Sequence, residues 1–371
     1  MLRVADVVRR FGPDYMARHG AAMLPGHVRA LQDITLCRTP AMGGHLAECT
    51  QCGRAHLLYH SCRNRACPQC GFDATSRWLA KQEDLLLPVP YFHLVFTLPA
   101  ELRRLVRRHQ KLLLSVLFRA AFDSLAKLCA DPRFLGAKIG ALAVLHTWTR
   151  TLEWHPHIHM LVPGGGLGHD GRSWHPVRRR NSMYLVPVVA LAKLFRARFL
   201  HLARRALPTT PFPNVPWGKR WVVFAKPVAR DAKAVLAYLG RYVHRTAMSD
   251  KAILSMDRTV SFRYRPSGEP ASRTMSLAPD EFLRRFLQHV PPKGFHRVRA
   301  FGLLHPEHRT VLRRLQLLLA PPTTDAAQES GEVAAPRSQC AHCKAPLRLL
   351  RHLDPLECAD VVAAGAAITI A

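Results

Sequence analysis

The sequence predicts an α+β protein: a helical, cysteine-rich domain over residues 1–88, then a domain built on an antiparallel sheet over 89–319. Three observations predict it. Two C-x2-C pairs, Cys49–Cys52 and Cys67–Cys70, stand fourteen residues apart, close to the spacing at which four thiolates close a tetrahedral zinc site. His155, His157 and His159 alternate with other residues and run into Met160, Leu161 and Val162, which is the two-residue period of a strand. Strand-like runs on either side of them are joined as hairpins, which gives antiparallel neighbours. Residues 320–338 read as a linker, and 339–371 as a small tail with a degenerate zinc knuckle.

Composition narrows the function. The 371 residues suffice for two or three domains, and the apolar content of 48% is ordinary for a globular chain. The charge is not: 54 Lys+Arg against 25 Asp+Glu leave +29, which calls for a polyanionic partner, nucleic acid first and an anionic membrane surface second. The N-terminus lacks a continuous apolar stretch of signal-peptide type. No apolar run reaches transmembrane length, the last one, Val361–Ala371, being too short. The expectation is a cytoplasmic, nucleoid-associated protein of bacterial type with no membrane partner. Ten cysteines in such a chain point to metal ligation rather than disulfides.

Residues 1–36 carry Val4, Val7, Val8 and Phe11 at helical spacing, with Pro13 and Pro25–Gly26 as interruptions. In the cysteine-rich stretch, Cys49, Cys52, Cys67 and Cys70 form the expected structural zinc site. Cys37, His45 and Cys62, with His60 behind them, could complete a second site or be ordinary buried groups. Arg54, Arg63 and Arg65 surround the knuckles, as in a small nucleic-acid-reading module. Ser76–Leu87 reads as a helix stopped by Pro88 and Pro90, and Tyr91–Leu98 as a strand. Pro99 opens a long helix from Ala100 to about Ala130, with arginines early and an apolar stripe later. Ala141–Trp148 is a second strand, and a hairpin through Arg150–Trp154 would lay His146 beside His157 and His159. His155, just before Pro156, belongs at the strand entrance and outside the ligand set.

Gly164–Gly166 lacks the G-K-[ST] ending of a phosphate loop; it allows a sharp turn or the close approach of a ligand. A basic loop (Arg172–Arg180), an amphipathic helix (Val186–Leu207) and a strand (Lys219–Lys226) follow. Asp231–Arg245 has helical periodicity, so Tyr238 and Tyr242 project from one face with Arg241 and Arg245 beside them. Taken alone, that pair reads as aromatic packing. Strands at Thr259–Arg265 and Ser272–Leu277, a helix at Pro279–His289, a basic segment at Lys293–Arg299 and a helix at Leu312–Leu319 complete the domain. Cys340–Cys343 is a knuckle with no evident mate; Cys358 and His352 are candidates.

Combined, the parts converge on phosphodiester chemistry. Three imidazoles with open coordination positions can hold a divalent ion against a phosphate oxygen. A tyrosine hydroxyl attacking in line would displace the 3′ hydroxyl and leave a 5′-phosphotyrosine, which conserves the bond energy for rejoining. A tyrosine, with a free pKa of about 10, needs a neighbouring cation to ionise. Two tyrosines permit two successive strand transfers.

These residues carry a resemblance. His157-Ile158-His159 matches the His-hydrophobic-His (HUH) motif of single-strand endonucleases, and Tyr238-x3-Tyr242 their two-tyrosine subclass. The run from Cys37 through Gly43, Gly44, His45, Cys49, Cys52, Tyr59, His60, Cys62, Arg63, Asn64 and Arg65 to Cys67 and Cys70 resembles the zinc-binding domain of insertion-sequence-91-type rolling-circle transposases. Pro88–His93, Leu145–Trp148, Pro163–Gly166 and Tyr238–Tyr242 resemble that family too, so that the likeness covers roughly residues 30–305.

The resemblance implies an HUH nuclease domain that cleaves single-stranded DNA at transposon ends and moves the element by a rolling-circle route. It implies Tyr238 and Tyr242 as nucleophiles, His157 and His159 as ligands of a catalytic Mg2+ or Mn2+, and structural Zn2+. Arg63, Arg65, Arg241 and Arg245 become the expected DNA contacts. His146 enters as third ligand because its spacing from His157 resembles that of conjugative relaxases; Glu153 is the competitor and suits a hard Mg2+ ion better. Two departures stand out: Ala66 where the family usually has His, and no Gly after Cys343. Other readings are an HUH replication initiator or relaxase, a zinc-dependent metallohydrolase indifferent to Tyr238 and Tyr242, or a non-catalytic DNA-binding protein. The metallo-β-lactamase-like pattern fails, because position 159 is His where Asp is required.

Overall fold

A computed structural model describes the chain except residues 1, 178–184, 216–220, 229–239, 241–246, 267, 321–338, 364–368 and 371, and the side chains of 72–74, 76, 77, 80 and 370. In chain order it begins α1 (Val4–His19), α2 (Pro25–Leu36), β1 (Gly44–Cys49), β2 (Ala55–Tyr59), α3 (Pro68–Glu83), β3 (Tyr91–Thr97), α4 (Arg103–Arg108) and α5 (Gln110–Ala130). Next come β4 (Ala137–Lys138), β5 (Gly140–Trp148), β6 (Trp154–Pro163), β7 (Gly165–Gly168), β8 (Trp174–Pro176), α6 (Val188–Ala206) and β9 (Val223–Val228). The last are β10 (Ile253–Met256), β11 (Val260–Tyr264), β12 (Arg273–Leu277), α7 (Pro279–Leu287), β13 (Val298–Gly302), α8 (Arg309–Leu319), β14 (Leu347–Leu353), α9 (Pro355–Ala363) and β15 (Thr369–Ile370). This is an α+β chain whose sheets are antiparallel but for the β2–β15 pair. Among the described residues no helix is long and apolar enough to cross a membrane.

The chain forms two compact units that interleave in sequence: residues 1–77, 248–290 and 328–371, and residues 78–247 and 291–327. This differs from the boundary at 88 and the separate tail expected from composition. In the first unit α1 buries Val4, Val7 and Val8. It runs on through Pro13 to bury Tyr15, since one lost backbone bond does not outweigh burial on both sides. Pro25 starts α2 rather than breaking it, as suits a first-turn proline. The sheet of this unit has the order β14-β1-β2-β15, so the predicted tail is a strand laid on β1, with Gly44 opposite Leu353 and Cys49 opposite Leu347. Gly43 and Gly44 make this possible: a Cβ would stand 2.8 Å from the Leu353 carbonyl oxygen at one and 2.7 Å from that of Leu58 at the other. The β10–β12 sheet packs on α7 through Phe262 and Phe282, with ring centroids 6.0 Å apart.

The second unit is a five-stranded antiparallel sheet in the order β13-β5-β6-β3-β9. Alternation gives it two faces. Phe92, Leu94 and Phe96 of β3, Ala143 and Leu145 of β5, and Ile158, Met160 and Val162 of β6 are buried with Leu117, Phe118, Phe195 and Phe199 of α5 and α6. Phe96→Ala should cost about 3–5 kcal/mol there. The opposite face carries Tyr91, Leu142, Val144 and Leu161 and, further along the strands, the histidines. The long helix expected over 100–130 is broken at His109, whose ψ of 47° ends α4 before α5 begins. The basic segment 293–299 hides the start of β13, an edge strand whose arginine content masks its period. Gly165 and Gly166 do not turn; they lie in β7, where a Cβ would stand 2.6 Å from the Trp174 ring and 2.5 Å from the Lys138 carbonyl oxygen.

Candidate metal centres and active site

The β5–β6 hairpin sets His146 opposite His157 and Val144 opposite His159. Opposed residues share a face, so the three imidazoles converge. Their ligand atoms lie within 4.8 Å of one another, and the ring centroids of His146 are 5.3 Å from His157 and 4.3 Å from His159. Each ring is oriented by a neighbour. His157 Nδ1 lies 2.7 Å from the His155 carbonyl oxygen, which can only accept; Nδ1 therefore carries the proton and Nε2 keeps a lone pair. His159 Nδ1 lies 2.8 Å from Nε2 of His93, the two rings stacking at 8°. His146 stacks on Trp148 at 4.5 Å.

Burial favours the neutral forms of His157 and His159. It pushes His157 down to about 4, and His159 to about 2, where a proton would also meet repulsion from a protonated His157 or His93. His93 is held at about 4 by burial and Lys226. His155 stands outside the triad, its Nδ1 accepting from Arg103 at 2.6 Å. Glu153 is exposed and, among the described residues, no carboxylate joins the three imidazoles. Three imidazole donors with room for further ligands fit a divalent transition-metal ion; Mn2+, although hard, accepts imidazole more readily than Mg2+ does.

The cysteines are partitioned otherwise than their spacing suggests. Cys67 and Cys70 close on Cys37 and Cys62, whereas Cys49 and Cys52 close on Cys340 and Cys343. Zn–S bonds of about 2.3 Å put the edges of a tetrahedron near ~3.8 Å. The Cys37–Cys70, Cys62–Cys70, Cys37–Cys67, Cys52–Cys340 and Cys52–Cys343 sulfurs are each 3.7 Å apart; Cys49–Cys343 is 3.3 Å. Both donor sets fit Zn2+. Backbone N–H groups of Cys52 and Gln51 lie on Cys49 Sγ at 3.4 and 3.5 Å and pull that thiol down to about 6. The Cys62 and Cys67 thiols bring Cys37 to about 7. Among the described residues His45 joins neither cysteine set; its ring lies 4.8 Å from that of His60 and 5.4 Å from that of His352, its partner across β1 and β14. Ala66, buried with its N–H on Asn64 Oδ1, leaves no gap in the Cys37 site.

Comparison with known proteins now bears on this geometry. Residues 140–311 match the family model described as "Putative transposase", and residues 7–98 the "Transposase zinc-binding domain". The chain is 41% identical over 326 residues, 82% of its length and 81% of the relative's, to "Putative transposase y4qJ" of Sinorhizobium fredii. It is 31% identical over 298 residues, 75% of its length and 70% of the relative's, to the "Transposase for insertion sequence element IS801" of Pseudomonas savastanoi pv. phaseolicola. The chain belongs to the insertion-sequence-91-type transposase family. No solved structure matches it.

The histidine hairpin lies in the segment matched as transposase, and Cys37 to Cys70 in the segment matched as zinc-binding domain. Cys340 and Cys343 lie beyond both, so this transposase draws half of one centre from outside its family zinc domain. Sequence reasoning left those two without a mate; the signal was three C-x2-C pairs which, with two of the four single cysteines, make eight thiols for two tetrahedra. His93 was visible only as part of a family-like run, and its partner is 66 residues away. Arg63 and Arg65 are exposed between β2 and α3. Tyr238, Tyr242, Arg241 and Arg245 lie outside the described residues; of that stretch Gly240 is described, and a Cβ on it would stand 2.8 Å from the Leu79 side chain.

Proposed function

We propose that this transposase cleaves and rejoins single-stranded DNA through 5′-phosphotyrosine intermediates, in rolling-circle transposition, with an HUH nuclease domain built on the five-stranded sheet. The observation that carries the reading is the convergence of His146, His157 and His159 on one sheet face in a chain of a transposase family. When bound there, a divalent ion supplies charge neutralisation at a non-bridging oxygen of the scissile phosphate. The chain does the rest. The His155 carbonyl and His93 hold His157 and His159 with a nitrogen facing the centre. Tyr238 or Tyr242, as phenolate, attacks phosphorus; the P–O3′ bond breaks and the 3′ oxygen takes up a proton. The second tyrosine repeats the step on another strand while the first holds its 5′ end. Arg241 and Arg245 favour the phenolates, and Arg63 and Arg65 hold DNA phosphates. The +29 charge supports DNA as the partner.

The test is a labelled single-stranded oligonucleotide carrying candidate element ends, incubated with protein and Mn2+ and resolved on a denaturing gel. Wild type should give a covalent protein–DNA band that vanishes in the Tyr238→Phe/Tyr242→Phe double variant and in His157→Ala. Cleavage that survives in the double variant, or leaves no covalent band, would replace this mechanism with direct hydrolysis.

A further inference from the structure

Four zinc-site cysteines are each followed by a residue with left-handed backbone: Arg38 (φ 56°) after Cys37, Gly53 (φ 67°) after Cys52, Arg63 (φ 51°) after Cys62 and Lys344 (φ 65°) after Cys343. Glycine adopts this conformation freely; a residue with a Cβ does so only under strain. Glycine nonetheless fills one of the four positions and a cation the other three. Among the described residues five that are not glycine have positive φ, and these three cations are the members next to zinc-site thiols. Strained backbone kept with one kind of side chain points to a use for that side chain.

Two of the three share a cavity. Arg38 and Arg63 line it with Met42, Tyr59, His60 and Ser61, and its volume is about 470 Å3, within the range of ~300–1,000 Å3 usual for small-ligand sites. Among the described residues no carboxylate lines it. Two guanidinium forks suit phosphate oxygens. The Tyr59 and His60 rings and the Met42 thioether suit the face of a base. The wall is fixed before any ligand arrives: His60 Nδ1 is 3.2 Å from the Met42 carbonyl oxygen, and the Arg38 N–H lies on the His60 carbonyl at 3.2 Å. A base paired in a duplex enters such a cavity only after it unpairs and unstacks, a cost that an unpaired base is spared.

We infer that this cavity is a nucleotide pocket of the zinc-binding unit, holding one unpaired nucleotide of a single strand. The phosphate lies between Arg38 and Arg63, and the base rests on Tyr59 and Met42. The inference rests on the reading of this chain as an enzyme of single-stranded DNA. It adds a recognition site separate from the histidine centre.

The experiment is fluorescence anisotropy with full-length, zinc-loaded protein and three probes: a labelled oligo-dT, an abasic strand of the same length and a duplex. The key variant is Arg38→Gly/Arg63→Gly, because glycine takes both backbone conformations without strain. Its zinc content should equal that of wild type and its Tm should hold or rise. Its affinity for oligo-dT should fall at least tenfold, its preference for oligo-dT over the abasic strand should shrink, and its duplex affinity should fall much less. Met42→Trp, which fills the cavity without touching a cation or a thiol, should reproduce the loss and serves alone if the glycine variant sheds zinc. Wild-type affinity in both variants, or an equal loss on duplex, overturns the pocket. A wild-type protein that binds no single strand overturns the proposed function instead.

Discussion

The histidine centre draws its three donors from residues 146–159, one hairpin, whereas the second cysteine centre joins Cys49 and Cys52 to Cys340 and Cys343, Cys340 following Cys52 by 288 positions. The first leaves coordination positions open and carries no sulfur; the second closes on four thiols. Closed sites of that kind contribute folding energy, and open ones chemistry. In this chain the open site is assembled by local hydrogen bonding that would persist without an ion, and the closed site by the ion's own demand for four ligands. Stability and catalysis should therefore respond to metal removal in opposite ways at the two places.

The sharpest way to break the comparison is at the distant pair. Cys340→Ser should lower the zinc content from two ions per chain to one. A structural site is worth roughly 10–16 kcal/mol in small zinc domains, more than most domains have in reserve, so residues 339–353 should become open to protease. Two zinc ions retained, by elemental analysis, would mean that the cysteines are wrongly paired here.

At the open site the order of effects reverses. His159→Ala should abolish strand cleavage while Tm, followed by circular dichroism, shifts little. His93→Ala should weaken Mn2+ binding by about 10–100-fold, the usual loss when a group orienting a ligand is removed, as calorimetry would show. An unchanged affinity would reduce the His93–His159 contact to packing. Mn2+ should support cleavage at lower concentration than Mg2+, given three imidazoles and no carboxylate among the described donors.

Protons give a finer contrast. His93, His155 and His157 each sit near about 4 when folded, below the 6.5 of a free imidazole. The unfolded chain therefore binds protons first as pH falls, and stability that is full above 6.5 is lost down to about 4. In protein with no ion at the three histidines, melting temperature should fall through that window, and less so in His157→Gln. The smallest effect belongs to the strained turn after Cys343: Lys344→Gly should raise stability by about 1 kcal/mol, measured by urea denaturation. A loss there would show that the Lys344 ammonium contact to Ala341 outweighs the strain.

The same contrast explains what could be read from residues alone. The hairpin of His146, His157 and His159 was legible because a two-residue period and a short connection are local properties, and register follows from them. The helix at 188–206 was legible for the same reason. The pairing of the knuckles was not. A C-x2-C pair has one local signature whichever distant pair completes it, so Cys67–Cys70 looked like the mate of Cys49–Cys52 by proximity in sequence. Strand β14 was hidden by the polarity of an exposed edge, with Arg348, Arg351 and His352 on it. The break at His109 lies in a run with no Gly or Pro to announce it; burial on either side settles it.

The strand laid on β1 and the thiols of Cys340 and Cys343 have a temporal meaning as well. During synthesis Cys49 and Cys52 leave the ribosome well before their partners, since Cys340 follows Cys52 by 288 positions. Until then the N-terminal sheet has an open edge and half a metal site. A nascent chain, or one that stops before Cys340, therefore carries its histidine hairpin without a finished zinc-binding unit.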